Sequence, residues 1–148
     1  DQALNNVLLN LAKRVVKDGE GASKFVTINT LKCKKEEDAK RISFSIANSP
    51  LVKTAISGED PNWGRIIMAV GKAEVEIDIE NLNLFIGEHK ILERGQLCKG
   101  YSEKDVALYM KGSSLEITIE INQGNKKFTC YTMDFTKKYI SINSDYRT

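Results

Sequence analysis

The chain changes its hydrophobic period across Lys17-Asp18-Gly19-Glu20-Gly21-Ala22-Ser23-Lys24-Phe25. Before this stretch Leu4, Val7, Leu8, Leu11, Ala12 and Val15 recur at helical spacing, which predicts an amphipathic helix near residues 2–17. After it, Phe25 to Thr30 predicts a short strand. Gly19 ends the helix, and glycine tolerates positive φ and close approach of other atoms. Glu20, set between Gly19 and Gly21, therefore projects from a bend. A carboxylate held in that way suits a bound cation such as an ammonium group. The same residues also describe an ordinary helix C-cap followed by a solvated polar turn, and the local pattern leaves both readings open.

The rest of the chain reads as α+β, mixed layers of helices on a β-sheet. A second helix is expected from near Glu36, with Ala39, Ile42 and Ile46 on one face, and Pro50 breaks or kinks it. Leu51 to Ile56 continues as another apolar turn. Asp60-Pro61 predicts a helix start, with Asp60 as N-cap and Pro61 in the first position, running to about Val70. Trp63 is expected to be a largely buried packing anchor. The second half is mostly strand. Glu74 to Glu80 alternates strictly, as a half-buried strand does, with an acidic and solvated outer face. Leu84–Ile86 and Lys90–Leu92 flank Gly87-Glu88 as a hairpin. Ser102 is placed to cap a short helix over 103–110. Leu115, Ile117, Ile119 and Ile121 predict another strand, Asn122 to Asn125 a turn, and Phe128–Asp134 and Tyr139–Asn143 two further strands. A composition shift near Ile56 to Asp60 suggests two parts, residues 1–56 and a smaller α+β domain over 57–148.

Composition excludes several functions. The chain is 41% hydrophobic and 28% charged, as in globular domains, and no apolar run approaches the roughly 20 residues of a membrane span. Net charge is only +2 and the Lys and Arg residues are dispersed, so a nucleic-acid footprint is missing. Cys33, Cys98 and Cys130 are an odd, widely spaced set, which argues for reduced thiols and a cytoplasmic setting. Gly19 to Lys24 lacks the Gly-Lys-Ser/Thr ending of a phosphate loop. His89, the single histidine, has no neighbouring Cys or acidic cluster to make a metal site.

Three blocks carry a resemblance: the Gly19-Glu20-Gly21 turn; Ser49-Pro50-Leu51-Val52-Lys53-Thr54-Ala55 with Asp60-Pro61-Asn62-Trp63-Gly64-Arg65-Ile66; and the terminal Tyr139-Ile140-Ser141-Ile142-Asn143-Ser144-Asp145-Tyr146-Arg147-Thr148. In this order and spacing they closely resemble the C-terminal part of the ornithine acetyltransferase family, also called glutamate N-acetyltransferases, of arginine biosynthesis. The resemblance runs from about Leu8 to the last residue, and between Lys72 and Lys127 it rests on pattern and spacing.

The resemblance implies a precursor that cleaves itself into alpha and beta chains and frees an N-terminal threonine nucleophile on the second. It implies acetyl transfer from N-acetylornithine to glutamate by way of an acetyl-threonine, with no cofactor and no metal, in an (alpha-beta)2 assembly. The sequence departs from the pattern by opening with Asp1-Gln2-Ala3 instead of threonine. It is therefore expected to be a distal beta-chain fragment, inactive alone, whose partners are the alpha chain and the remainder of the beta chain. No catalytic residue is expected in it. By the resemblance, Glu20, Asn143 and Thr148 bind substrate, Thr148 through its hydroxyl or a terminal carboxylate. Two other readings stay open on the sequence: a related self-cleaving amidase or peptidase with an N-terminal nucleophile, and a non-catalytic binding domain. Neither membrane nor nucleic acid is an expected partner.

Overall fold

Among the described residues six helices and six strands are arranged so that the first strand becomes an inner strand of the sheet. In a computed structural model that describes residues 1–146, helix α1 (Gln2–Lys17) leads through the Gly19-Glu20-Gly21 turn into β1 (Phe25–Cys33). Helices α2 (Glu36–Ala47), α3 (Pro50–Ser57) and α4 (Trp63–Gly71) follow. A hairpin of β2 (Asn83–Ile86) and β3 (His89–Glu93), the short β4 (Gln96–Leu97), α5 (Glu103–Met110), β5 (Ser114–Glu120), β6 (Lys126–Met133) and α6 (Lys137–Asp145) complete the chain. The sheet order is β4-β3-β2-β5-β1-β6. Among the described residues only β1 and β5 run parallel, in the register Val26↔Leu115, Ile28↔Ile117, Thr30↔Ile119, and β6 pairs antiparallel with β1 on its other side. Strands from either side of residue 57 thus share one sheet.

Alternation along β1 and β5 divides the sheet into two faces. Val26, Ile28, Leu115, Ile117 and Ile119 are buried and belong to one core with Ala39, Ile42 and Ile46 of α2 and Ile66, Ala69 and Val70 of α4. Burial of such side chains contributes about 1.5–3 kcal/mol each. One polar pair sits inside this core, Thr30 Oγ1 and Ser43 Oγ at 2.8 Å, each satisfying the other. The opposite face is half-exposed and polar: Thr129 Oγ1 donates to Asn29 Oδ1 at 2.7 Å, and Asn29 Nδ2 lies 3.4 Å from Thr118 Oγ1. Helix α1 crosses near this side, with Lys13 over the Tyr131 ring and Lys17 over Phe25. The helix itself contributes no buried residue, and Leu4, Val7, Leu8, Leu11 and Val15 are each more than half exposed. No helix among the described residues is long and apolar enough to cross a membrane.

Helices α1, α2 and α5, the hairpin, and strands β1, β5 and β6 lie where the sequence places them, and Ser102 Oγ accepts from Asp105 N at 3.3 Å as the expected cap. Pro50 stands at the start of α3, behind a Ser49 cap. Four expectations are corrected. Helix α4 starts at Trp63, not Pro61, and Asn62 is its cap: Asn62 Oδ1 accepts from Arg65 N at 3.3 Å, while the Asp60 carboxylate accepts from the Asn62 side-chain Nδ2 at 3.1 Å. Trp63 is half-buried, packed against the core. Residues 74–80 are no strand. Glu74 has φ 55°, and the segment ends in a 3-10 turn, Ile79–Asn81. Its alternating Val75, Ile77 and Ile79 line an apolar groove with Ile67 and Val70 of α4, so the period serves packing on a helix rather than a ladder. Residues 139–143 lie in helix α6, because the Thr136 hydroxyl caps it and the half-buried Tyr139 and Ile142 are three apart.

Two predictions follow from these packing details. Asn62→Ala should cost about 1 kcal/mol in urea denaturation, and Asp60→Ala clearly less; equal losses would return the cap to Asp60. Burial pushes the Cys33 thiol, helped by Asp38, and the Cys130 thiol from 9.0 up to about 11. The unfolded chain then loses these protons first as pH rises. Their contribution to stability is complete below 9.0 and falls away toward about 11. The urea midpoint should decline across that window, and a Cys33→Val, Cys130→Ala double variant should show a shallower decline.

Candidate functional site

The turn between α1 and β1 is fastened to the β6–α6 connection by hydrogen bonds that span the length of the chain. Strand β6 delivers Asp134, which is 2% exposed. Its carboxylate accepts from Ser23 N at 2.8 Å, Ser23 Oγ at 2.5 Å and Lys24 N at 2.9 Å. Bonds of this kind to an ionised acceptor are about twice as strong as neutral ones. Two residues on, Thr136 Oγ1 donates to the Gly21 carbonyl at 2.6 Å and accepts from Tyr139 N at 3.3 Å as the cap of α6. On the other flank of the turn the buried Lys24 extends its ammonium to Glu59 Oε1 at 3.1 Å and to the carbonyls of Met110 and Gly112 at 2.9 and 3.0 Å. All three donors of the ammonium are thereby used.

Held in this way, Glu20 meets Asn143 of α6. Asn143 Nδ2 donates to Glu20 Oε2 at 3.2 Å and to the Tyr139 carbonyl at 2.8 Å. Both residues are exposed. Glu20 keeps its second oxygen and Asn143 its Oδ1, so the pair offers acceptors for an ammonium and shares its fixed geometry between a loop and a helix. Gly21 makes the approach possible. Its φ is +72°, and a Cβ there would stand 2.7 Å from Tyr139 N and 2.9 Å from Tyr139 Cα. Beside the turn lies a cleft of about 270 Å³ whose lining includes Lys17, Ala22, Ser23, Phe25 and Ser114. Lys53, whose carbonyl accepts from Phe135 N at 3.2 Å, has its ammonium pKa lowered by burial, a shift that the nearby Asp134 charge opposes.

Of the three residues expected in the site, Glu20 and Asn143 are in contact; Thr148 lies outside the described residues. Sequence reasoning missed Asp134 and Thr136. Thr136 has a visible signal, a Thr three residues before Tyr139 in a cap position, but the reading of 139–143 as a strand concealed it. Asp134 has none, since an acid at the end of an alternating strand reads as solvent-facing. Among the described residues no group of three or more His, Cys, Asp or Glu could hold a metal ion.

Fold and site together define an α+β domain that presents a carboxylate and a carboxamide, side by side, where its first turn meets its last helix. The ArgJ family profile matches residues 1–148, and the chain belongs to that family. It is 49% identical over 146 residues to the arginine biosynthesis bifunctional protein ArgJ of Ruegeria pomeroyi, covering 99% of this chain and 36% of that protein. It is 48% identical over 147 residues to the protein of the same name from Mesorhizobium japonicum, again 99% and 36%. The crystal structure of the arginine biosynthesis bifunctional protein ArgJ from Bacillus halodurans superposes with a TM-score of 0.94 at 34% identity, over 98% of this chain and 68% of that one. The chain thus spans little more than a third of the length of these curated relatives.

Gly21→Ala tests the geometry directly. The left-handed conformation alone costs a residue with a Cβ roughly 1–2 kcal/mol, and the new methyl group would press on the α6 backbone. A lower unfolding midpoint is expected, with Glu20 and Asn143 out of contact in a crystal structure of the variant. A variant of unchanged stability that retains the contact would contradict it.

Proposed function

We propose that this chain recognises the amino-acid portion of the substrates in a glutamate N-acetyltransferase, an enzyme that moves acetyl from N-acetylornithine to glutamate. The observation that carries this reading is the contact between Glu20 and Asn143, residues 123 apart in sequence and 3.2 Å apart in space. A charge-assisted bond from a substrate ammonium to Glu20 would fix the donor, and Asn143 would hold the carboxylate in its correct rotamer while offering its own oxygen. Thr148 would add a hydroxyl to the same pocket.

The chemistry itself would fall to an N-terminal threonine elsewhere in the complete protein. Its hydroxyl oxygen attacks the acetyl carbonyl while its own amine takes the proton, and collapse of the tetrahedral adduct expels the ornithine amine, which receives that proton. The glutamate amine then attacks the acetyl-threonine ester, forming the new amide and releasing the hydroxyl. Donors on another part of the protein would stabilise the oxyanion at both stages. That division of labour fits a chain matching about a third of its relatives.

An exposed apolar surface supports a protein partner. The apolar stripe of α1, from Leu4 to Val15, suits contact with the alpha chain or the remainder of the beta chain, in an (alpha-beta)2 assembly in the cytoplasm. Three free cysteines fit a reducing compartment.

The decisive experiment measures acetyl exchange between N-acetylornithine and glutamate in the complete protein carrying this chain. Glu20→Gln should lower kcat/KM for N-acetylornithine by an amount equivalent to about 1.5–3 kcal/mol, the scale of a hydrogen bond to a charged group. Unaltered kinetics would remove Glu20 from the site. The 148-residue chain on its own should show no turnover, and any turnover by it would defeat the division of labour.

A further inference from the structure

We propose that Thr136 is a positioning residue for substrate recognition, its hydroxyl setting the separation of Glu20 and Asn143. This rests on the acetyl-transfer reading and adds a residue to it. The contacts form a closed ring. Glu20 is bonded to Gly21 through the backbone; the Gly21 carbonyl accepts from Thr136 Oγ1 at 2.6 Å; Thr136 Oγ1 accepts from Tyr139 N at 3.3 Å; the Tyr139 carbonyl accepts from Asn143 Nδ2 at 2.8 Å; and Asn143 Nδ2 returns to Glu20 Oε2 at 3.2 Å. A hydroxyl carries one donor and two acceptor lone pairs, and Thr136 uses the donor on the loop and an acceptor on the helix.

A helix cap needs only the acceptor. The donation to Gly21 goes beyond capping, because it ties the carbonyl next to Glu20 to the first turn of the helix that carries Asn143. The ring has little slack. Gly21 already lies against the Tyr139 backbone, and Asp134 fixes the far side of the loop through Ser23 and Lys24. Loss of the Thr136 donor therefore leaves the Glu20–Asn143 contact as the side-chain tie between the loop and α6 close to Glu20, and the carboxylate is held less firmly for an incoming ammonium. Substrate binding should suffer while the acetyl-transfer steps, carried by other residues, continue.

Capping and coupling can be separated by substitution. Thr136→Asp keeps a cap acceptor and removes the donor; Thr136→Ser keeps both. In the complete protein, T136D should raise KM for N-acetylornithine about tenfold, equivalent to about 1.4 kcal/mol, with kcat and the thermal midpoint close to wild type. T136S should match wild type throughout. Should T136D fail to fold, T136G carries the same test, since glycine is well tolerated at N-caps and has no side-chain donor. A wild-type KM in the donorless variant overturns the inference, as does a KM that rises only in step with a falling thermal midpoint. If the wild-type protein transfers acetyl and T136D binds substrate normally, the positioning role alone fails. If the wild-type protein transfers no acetyl at all, the functional reading fails and this inference with it.

Discussion

Strand β1 is the element on which every layer leans. It is hydrogen-bonded on both edges, to β5 in parallel and to β6 in antiparallel. Its buried face, Val26, Ile28 and Thr30, is wholly excluded from solvent. An inner strand needs partners for its backbone N–H and C=O groups on both sides, and these come from segments in the last quarter of the chain. Everything positioned by β1, including the turn that precedes it, inherits its place from that pairing.

The site is the junction where this dependence is most concentrated. Glu20 belongs to the entry of β1, and Asn143 to the helix that follows β6, so the β1–β6 pairing brings the two together before any side chain is considered. Side chains then refine the geometry: Asp134 gathers Ser23 and Lys24, and Lys24 in turn reaches the α3–α4 and α5–β5 connections. The arrangement is tied down around the loop and open at the two exposed groups.

Much of the fold was legible because period and capping agree for most elements. The spacing of Leu4 to Val15, the alternation of Leu115 to Ile121 and the Ser102 cap each point to one structure. The failures share a cause. Glu74 to Glu80 and Tyr139 to Asn143 both contain β-branched or aromatic residues in short runs, for which strand and helix patterns overlap. In the first the alternation is used against α4, and in the second the Thr136 cap outweighs the local preference. At Asp60-Pro61-Asn62 two capping residues compete, and the one closer to Trp63 prevails. Glu20 and Asn143 are candidates through motif resemblance, joined for Glu20 by its flanking glycines. Their contact was beyond reach, because nothing local links residues separated by 123 positions. Asp134 was hidden for the same reason: its partners lie 111 and 110 residues away.

That distance has a kinetic consequence. Asn29 of β1 finds its partners 89 residues on, in Thr118, and 100 residues on, in Thr129. Loop-closure entropy must be overcome before such contacts reward it, and sheets built from them form in milliseconds to seconds instead of microseconds. On the ribosome β1 emerges long before β5 and β6, and α2, α3 and α4 can become helical while the strand they cover still lacks both neighbours. The turn at Glu20 therefore acquires its shape only after β6 and α6 have been synthesised.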